Sequence, residues 1–152
     1  MRQILLLVLC VVVTSVAVFA GEADKQVADG VIAITKAQWA AEADKDIATA
    51  MKNVADEYTE FNPETPVRLD GKAINMRIGE ALTTGSGRSI SAEMANPKVQ
   101  VYGDVAILSY NYVGAAKDKD GEIEQIRAKS TRVYVKKNGQ WMLVHANFAA
   151  AN

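Results

Sequence analysis

The dipeptide Asn138-Gly139 constrains this chain more than any other feature, because it lies between two apolar-rich runs, Ile123 to Lys136 and Gln140 to Phe148. Both residues tolerate the positive φ that a type I′ turn demands, so the runs are predicted to fold back on each other as antiparallel strands. Period-two patterning extends upstream: Ile90 to Met94, a turn at Asn96-Pro97, Val99 to Tyr102, a tight Gly103-Asp104, then Val105 to Val113. Val105-Ala106-Ile107-Leu108 is apolar at consecutive positions, which predicts a strand covered on both faces, one by helices and the other by a lumen or a partner.

Before Ser89 the periodicity is helical. Val27, Val31, Ile34 and Gln38-Trp39 mark one stripe, and Ile47, Met51, Val54, Ala55 and Tyr58 mark a second, with Asp44 or Asp46 as its N-cap. Pro63 and Pro66 interrupt the pattern before a short extended piece, Val67 to Leu69, and a third helix is predicted over Asp70 to Thr84, capped by Asp70 and ended by Gly85 and Gly87. Helices first and sheet last is an α+β arrangement. A strongly curved antiparallel sheet wrapped around N-terminal helices satisfies the whole pattern.

The stretch from Ser130 to His145 resembles the end of the nuclear-transport-factor-2-like superfamily, which includes SnoaL-like domains. Within it, Thr131-Arg132-Val133-Tyr134, the Lys137-Asn138-Gly139 turn and Trp141 followed by Val144-His145 are most similar to the calcium/calmodulin-dependent kinase II association domain. The resemblance runs loosely from Val27 to Phe148 and implies a cone-shaped sheet with a pocket against the long helix. It leaves activity open, since that superfamily hosts enzymes, carriers and oligomerisation modules.

Arg2, the apolar run Ile4 to Phe19 and the small Ala20 have the layout of a secretory signal peptide, so residues 1–20 are expected to be removed and 21–152 to form a single exported domain, periplasmic or secreted. An uncleaved anchor is the competing reading. Cleavage would leave 16 of the 17 basic residues, all 18 acidic ones and no cysteine, because the single cysteine is Cys10. Such a domain is held by an ordinary core, with no disulfide or thiolate chemistry and no stable membrane anchor. The near balance of charge without a basic run argues against nucleic acid as partner.

The resemblance implies that Arg132 looks into the pocket, where a guanidinium would take a carboxylate or another planar anion. Tyr112 lies near a second pocket arginine of that family and supplies a hydroxyl instead. His145 is the only histidine; the family's Val-His-x-His carries Asn147 here at the second position. The pocket candidates are therefore Tyr110, Tyr112, Arg132, His145 and Asn147, with Trp39 from the first helix. Strict alternation puts Trp141, Leu143, His145 and Asn147 on one strand face and Met142, Val144, Ala146 and Phe148 on the other.

An acid for proton transfer could come from Asp44, Asp46, Glu57 or Glu60, as in isomerase, dehydratase and polyketide-cyclase members of the superfamily. Lys117 to Glu122 has the acids of a calcium loop but not its spacing, since Ala116 and Arg127 fall where ligands are required, so it is read as a solvated hairpin turn. Thr84 to Arg88 is read as a helix exit. No metal or cofactor is expected. The expectation is a homodimer that holds a small, partly apolar, anionic or carbonyl-bearing molecule or serves as an assembly module, with an isomerase, dehydratase or polyketide-cyclase-type enzyme using His145 or a carboxylate as general acid or base as the alternative.

Overall fold

The computed structural model describes residues 13–85, 88–118 and 120–151, with only the backbone described for 13–20, 82–85 and 88. The chain order is α1 (Val13–Ala43), α2 (Ile47–Ala50), β1 (Val54–Phe61), β2 (Leu69–Asp70), α3 (Lys72–Gly85), β3 (Arg88–Tyr102), β4 (Val105–Lys117), β5 (Ile123–Lys137) and β6 (Gln140–Ala150). The six strands form one sheet in the order β2-β1-β6-β5-β4-β3, curved and unclosed, with the helices N-terminal to its long strands. The α+β expectation holds. Pairing is antiparallel except that β1 runs parallel to β6.

Local chemistry explains the turns. Asn138 and Gly139 have φ of 49° and 81°, the type I′ requirement, and register Lys137 opposite Gln140. Helix α1 ends in a Schellman motif: Lys45 adopts φ 62°, its N–H reaches the Glu42 carbonyl at 3.0 Å, and Asp46 N–H reaches the Ala41 carbonyl at 2.8 Å. Asp46 then caps α2, its carboxylate accepting Thr49 N–H at 3.0 Å. At the β4–β5 turn, Asp118 Oδ1 accepts from the N–H groups of Asp120 and Glu122 at 2.9 and 2.8 Å, the Asx-turn chemistry of a solvated hairpin.

Three expectations change. The second helix stops at Ala50, and Val54 to Tyr58 belong to β1, because parallel pairing with β6 and antiparallel pairing with β2 satisfy the backbone that helix would otherwise have bonded. Helix α3 starts at Lys72 rather than Asp70, whose carboxylate is instead paired with Arg68 at 2.6 Å. Asn96-Pro97 does not end a strand: β3 runs through it on a register shift between Ala95 and Lys98, with Asn96 at φ 50°.

The core lies between α1, α2 and one face of the sheet, built from Val31, Ile47, Met51, Val54, Tyr58, Leu108, Tyr134 and Leu143 among others. Of the expected leader, residues 1–12 lie outside the described residues; from Val13 the backbone is one helix through Ala20 and Gly21 to Ala43. No described helix is long and apolar enough to cross a membrane.

Candidate functional site

Arg132 sits in the middle of β5, opposite Leu108 on β4 and Ala146 on β6, and Ala146 in turn lies opposite Glu60 on β1. This row therefore carries an arginine and a glutamate whose backbones are about 10 Å apart, two strand spacings, with the small Ala146 between them. The row faces α1. From the helix, Thr35, Gln38, Trp39 and Glu42 reach down at i, i+3, i+4 and i+7, the spacing that puts four side chains on one face.

Arg132 is 3 % exposed, and two of its three guanidinium nitrogens donate to neighbouring side chains. Its Nε donates to the Tyr110 hydroxyl at 3.0 Å, its Nη1 donates to Gln38 Oε1 at 2.7 Å, and its guanidinium lies 5.3 Å from the Phe148 ring centroid. An arginine only donates, which fixes the Gln38 amide: its oxygen faces Arg132 and its Nε2 donates to Glu42 Oε1 at 2.9 Å. Burial alone would lower the Arg132 pKa, but the hydroxyls of Tyr110, Tyr134 and Tyr58 and the Glu42 carboxylate outweigh it and keep the guanidinium charged.

Two further hydroxyl pairs flank this chain. The single Thr35 hydroxyl proton goes to the Val31 carbonyl at 2.9 Å, so in the 2.7 Å contact between Thr35 Oγ1 and Tyr134 the tyrosine donates. Tyr58 donates to Glu60 Oε2 at 2.7 Å, and Asn62 Nδ2 donates to Glu60 Oε1 at 3.1 Å. Burial, then Glu60, push the Tyr58 hydroxyl far above its ordinary pKa, so it remains a donor at every accessible pH. Ser130, on the same face as Arg132, is buried, and its Oγ has no hydrogen-bond partner among the described residues.

Glu42 is the group poised to change charge. Its side chain is open to solvent at the end of the hydrogen-bond chain that runs from Arg132 through Gln38. Burial pushes its carboxyl above the usual range; Arg132 and Gln38 pull it down less, and Glu60 adds like-charge repulsion. The site thus combines a buried cation, two carboxylates and several hydroxyl donors. That set can hold a polar group by hydrogen bonds and can also move a proton.

Four of the six sequence candidates come together here. Trp39 packs edge-on against both Tyr110 and Tyr112, with ring centroids 5.5 and 5.2 Å apart, beside Arg132. His145 and Asn147 do not join them. Strict alternation fails because β6 carries a bulge: Val133 pairs with His145 but Tyr134 with Leu143, leaving Val144 unpaired. Trp141 and Leu143 consequently pack with the core cluster, as do Ala146 and Phe148, while His145 and Asn147 point to the opposite face. There His145 Nδ1 lies 2.8 Å from Thr59 Oγ1, and its ring meets Phe61 edge-on with centroids 6.0 Å apart.

Of the candidate acids, only Glu60 reaches the Arg132 row. Asp46 is a helix cap, and Glu57 is paired with Lys137 at the surface. Gln38 and Glu42 escaped sequence reasoning. The signal for them was present, as polar residues at helical spacing beside Trp39 in an otherwise apolar stripe.

The computed shape recurs in solved structures. The association domain of C. elegans CaMKII is 23 % identical, with 85 % of this chain and 99 % of that chain covered and a TM-score of 0.72. The CaMKII hub of S. rosetta is 25 % identical, with coverage of 81 % and 95 % and a TM-score of 0.67. A protein from Streptomyces avermitilis described as a dehydratase of the NTF2-like family is 15 % identical, with coverage of 84 % and 98 % and a TM-score of 0.73, a likeness of fold alone. No curated protein sequence matches closely enough to add a function. Residues 27–152 match the calcium/calmodulin-dependent protein kinase II association domain family over most of the chain, and the protein belongs to that family.

Proposed function

We propose that this protein is a self-associating domain that pairs through the sheet face turned away from the helices and holds a small, partly apolar anion or carbonyl compound at Arg132. One observation carries the assembly reading. On that outer face Tyr102, Val105, Val135 and Met142 form a cross-strand row beside Ile107 and Val133, while the buried helix side chains pack on the other face. An apolar patch left open on a monomer is a site for another protein surface, and the relatives described as hubs and association domains favour a second copy. A specific twofold contact would bury about 1,600 Å².

Sedimentation velocity tests this directly. Wild-type protein is expected as a dimer or larger at micromolar concentration, and Ile107→Glu, which puts a charge into the patch, as monomer with unchanged circular dichroism. Wild type that sediments as monomer overturns the reading. Export with cleavage after Ala20 belongs to the same proposal, and N-terminal sequencing of the protein from its host would return Gly21.

The Glu42 environment favours a second reading, an acid–base enzyme in which Glu42 moves a proton next to a carbonyl polarised by Arg132 and a tyrosine hydroxyl. Deuterium uptake at the α-carbon of a ketone probe, abolished in Glu42→Gln, would support it. Equal uptake in both proteins would remove it.

A further inference from the structure

The outer sheet face has a second half, chemically unlike the apolar row. Beyond Ile107 and Val133 two cross-strand rows follow. Ser109, Thr131 and Asn147 lie opposite one another in the first, and Asn111, Lys129 and Ala149 in the second. The bulge at Asn96 brings that side chain over the edge, where its Nδ2 lies 3.4 Å from Asn111 Oδ1. Together they enclose a groove of about 330 Å³.

Three facts define what such a groove accepts. On the outer face its polar side chains are three amides, two hydroxyls and one ammonium, and no carboxylate lines it. Glu93, the acid nearest in register, lies a row further out opposite Val113, which pairs with Arg127. Apart from the Asn96–Asn111 contact, these side chains make no hydrogen bond or ion pair among the described residues, so their donors are turned to solvent and available. Third, successive rows on one face of a strand are about 6.6 Å apart and neighbouring strands about 4.8 Å. That spacing lets one oxyanion bridge Lys129 and Asn111 in one row and Ser109 and Thr131 in the other.

We propose that this groove binds a small hydroxylated oxyanion, the chemistry shared by sugar acids and sugar phosphates. Lys129 supplies the charge, Ser109 and Thr131 donate to the anionic oxygens, and Asn96, Asn111 and Asn147 match ligand hydroxyls, since an amide both donates and accepts. The volume, roughly eleven waters at ~30 Å³ each, suits a molecule of that size. The groove lies on the face opposite Arg132 and beyond the apolar row, so its occupancy is independent of the Arg132 site.

Isothermal titration of the full chain with gluconate, glucose 6-phosphate and glucose tests the assignment. One or both anions are expected to bind at least tenfold more tightly than glucose, and the stronger of the two names the source. Lys129→Gln should remove that tenfold preference, and Asn147→Ala should weaken the hydroxylated anion more than inorganic phosphate. Both are exposed positions, so neither change threatens the fold. Lys25→Gln, which removes an exposed lysine of α1 outside both sites, should leave the affinities unchanged. No binding of either anion overturns the proposal, as does binding that survives Lys129→Gln, which would place the ligand elsewhere on the chain.

Discussion

The two faces of one sheet use polar residues in opposite ways. On the helix side Arg132, Tyr134 and Tyr58 are nearly sealed, at 3, 0 and 2 % exposure, and each hydrogen bond there is made within the chain. On the outer side Lys129, Asn147 and Asn111 are exposed, and His145 makes one bond to Thr59 at the margin of the water. Burial separates the two. A buried donor without a partner costs its full desolvation, whereas an exposed one exchanges its partner for water at little cost. Truncating a buried, hydrogen-bonded side chain of the inner face should therefore damage folding before anything else, and substitutions on the outer face should damage recognition more than folding.

The largest test of that contrast is Arg132→Ala. It strands Gln38 and Tyr110 and empties the centre of the row, so a loss of about 3 kcal/mol of unfolding free energy is expected by urea denaturation. Lys129→Ala, three residues along β5 and on the other face, should change stability by less than about 0.5 kcal/mol. Similar losses in the two would erase the distinction between the faces.

Gly114 sharpens the picture at the edge of the inner face. A Cβ there would meet the Tyr112 hydroxyl and ring at 2.6 to 2.8 Å, so Gly114→Ala must swing that ring away from Trp39. Loss of an edge-to-face aromatic contact predicts a cost of about 1 kcal/mol, seen as a lower urea midpoint together with a changed tryptophan fluorescence maximum. An unchanged spectrum would show that the ring had not moved. His145→Ala is expected to cost less, about 0.5 kcal/mol, since Thr59 can turn to water. Its effect should appear in self-association, measured by sedimentation, before it appears in stability.

What the sequence disclosed about these faces follows from the range of the interactions involved. The Asn138-Gly139 turn was legible because its φ requirement is local, and so was the α+β order, because periodicity is a property of neighbours. Residues Val54 to Phe61 were not legible as a strand. Their apolar positions suit a helix equally well, and what decides between them is pairing with β6, whose residues lie far along the chain. The Val144 bulge shows the same limit at the site. One extra residue moved His145 and Asn147 to the face opposite Arg132, and nothing local in Leu143-Val144-His145 marks it. Of the site, the sequence showed Arg132 with Tyr110, Tyr112 and Trp39; the chain from Arg132 through Gln38 to Glu42 needed the helix laid on the sheet.

Glu42 supplies the smallest effect and the most diagnostic one, because it lies at the solvent-exposed end of the chain from Arg132 through Gln38. Its carboxyl pKa in the folded state is raised, by burial first. A raised acid binds its proton more tightly when folded than when unfolded, so the charged form weakens the fold at neutral pH and the penalty fades as pH falls through the folded pKa toward the ordinary carboxylate value. Glu42→Gln keeps an acceptor for Gln38 without the charge. It should therefore be slightly more stable than wild type at pH 7, and the gain should vanish near pH 4, in paired urea titrations at the two pH values. A gain that persists at low pH would mean that packing, not charge, had changed. A loss at pH 7 would mean that attraction to Arg132 outweighs burial, and Glu42 would then be a fixed counter-ion of the inner face rather than its adjustable group.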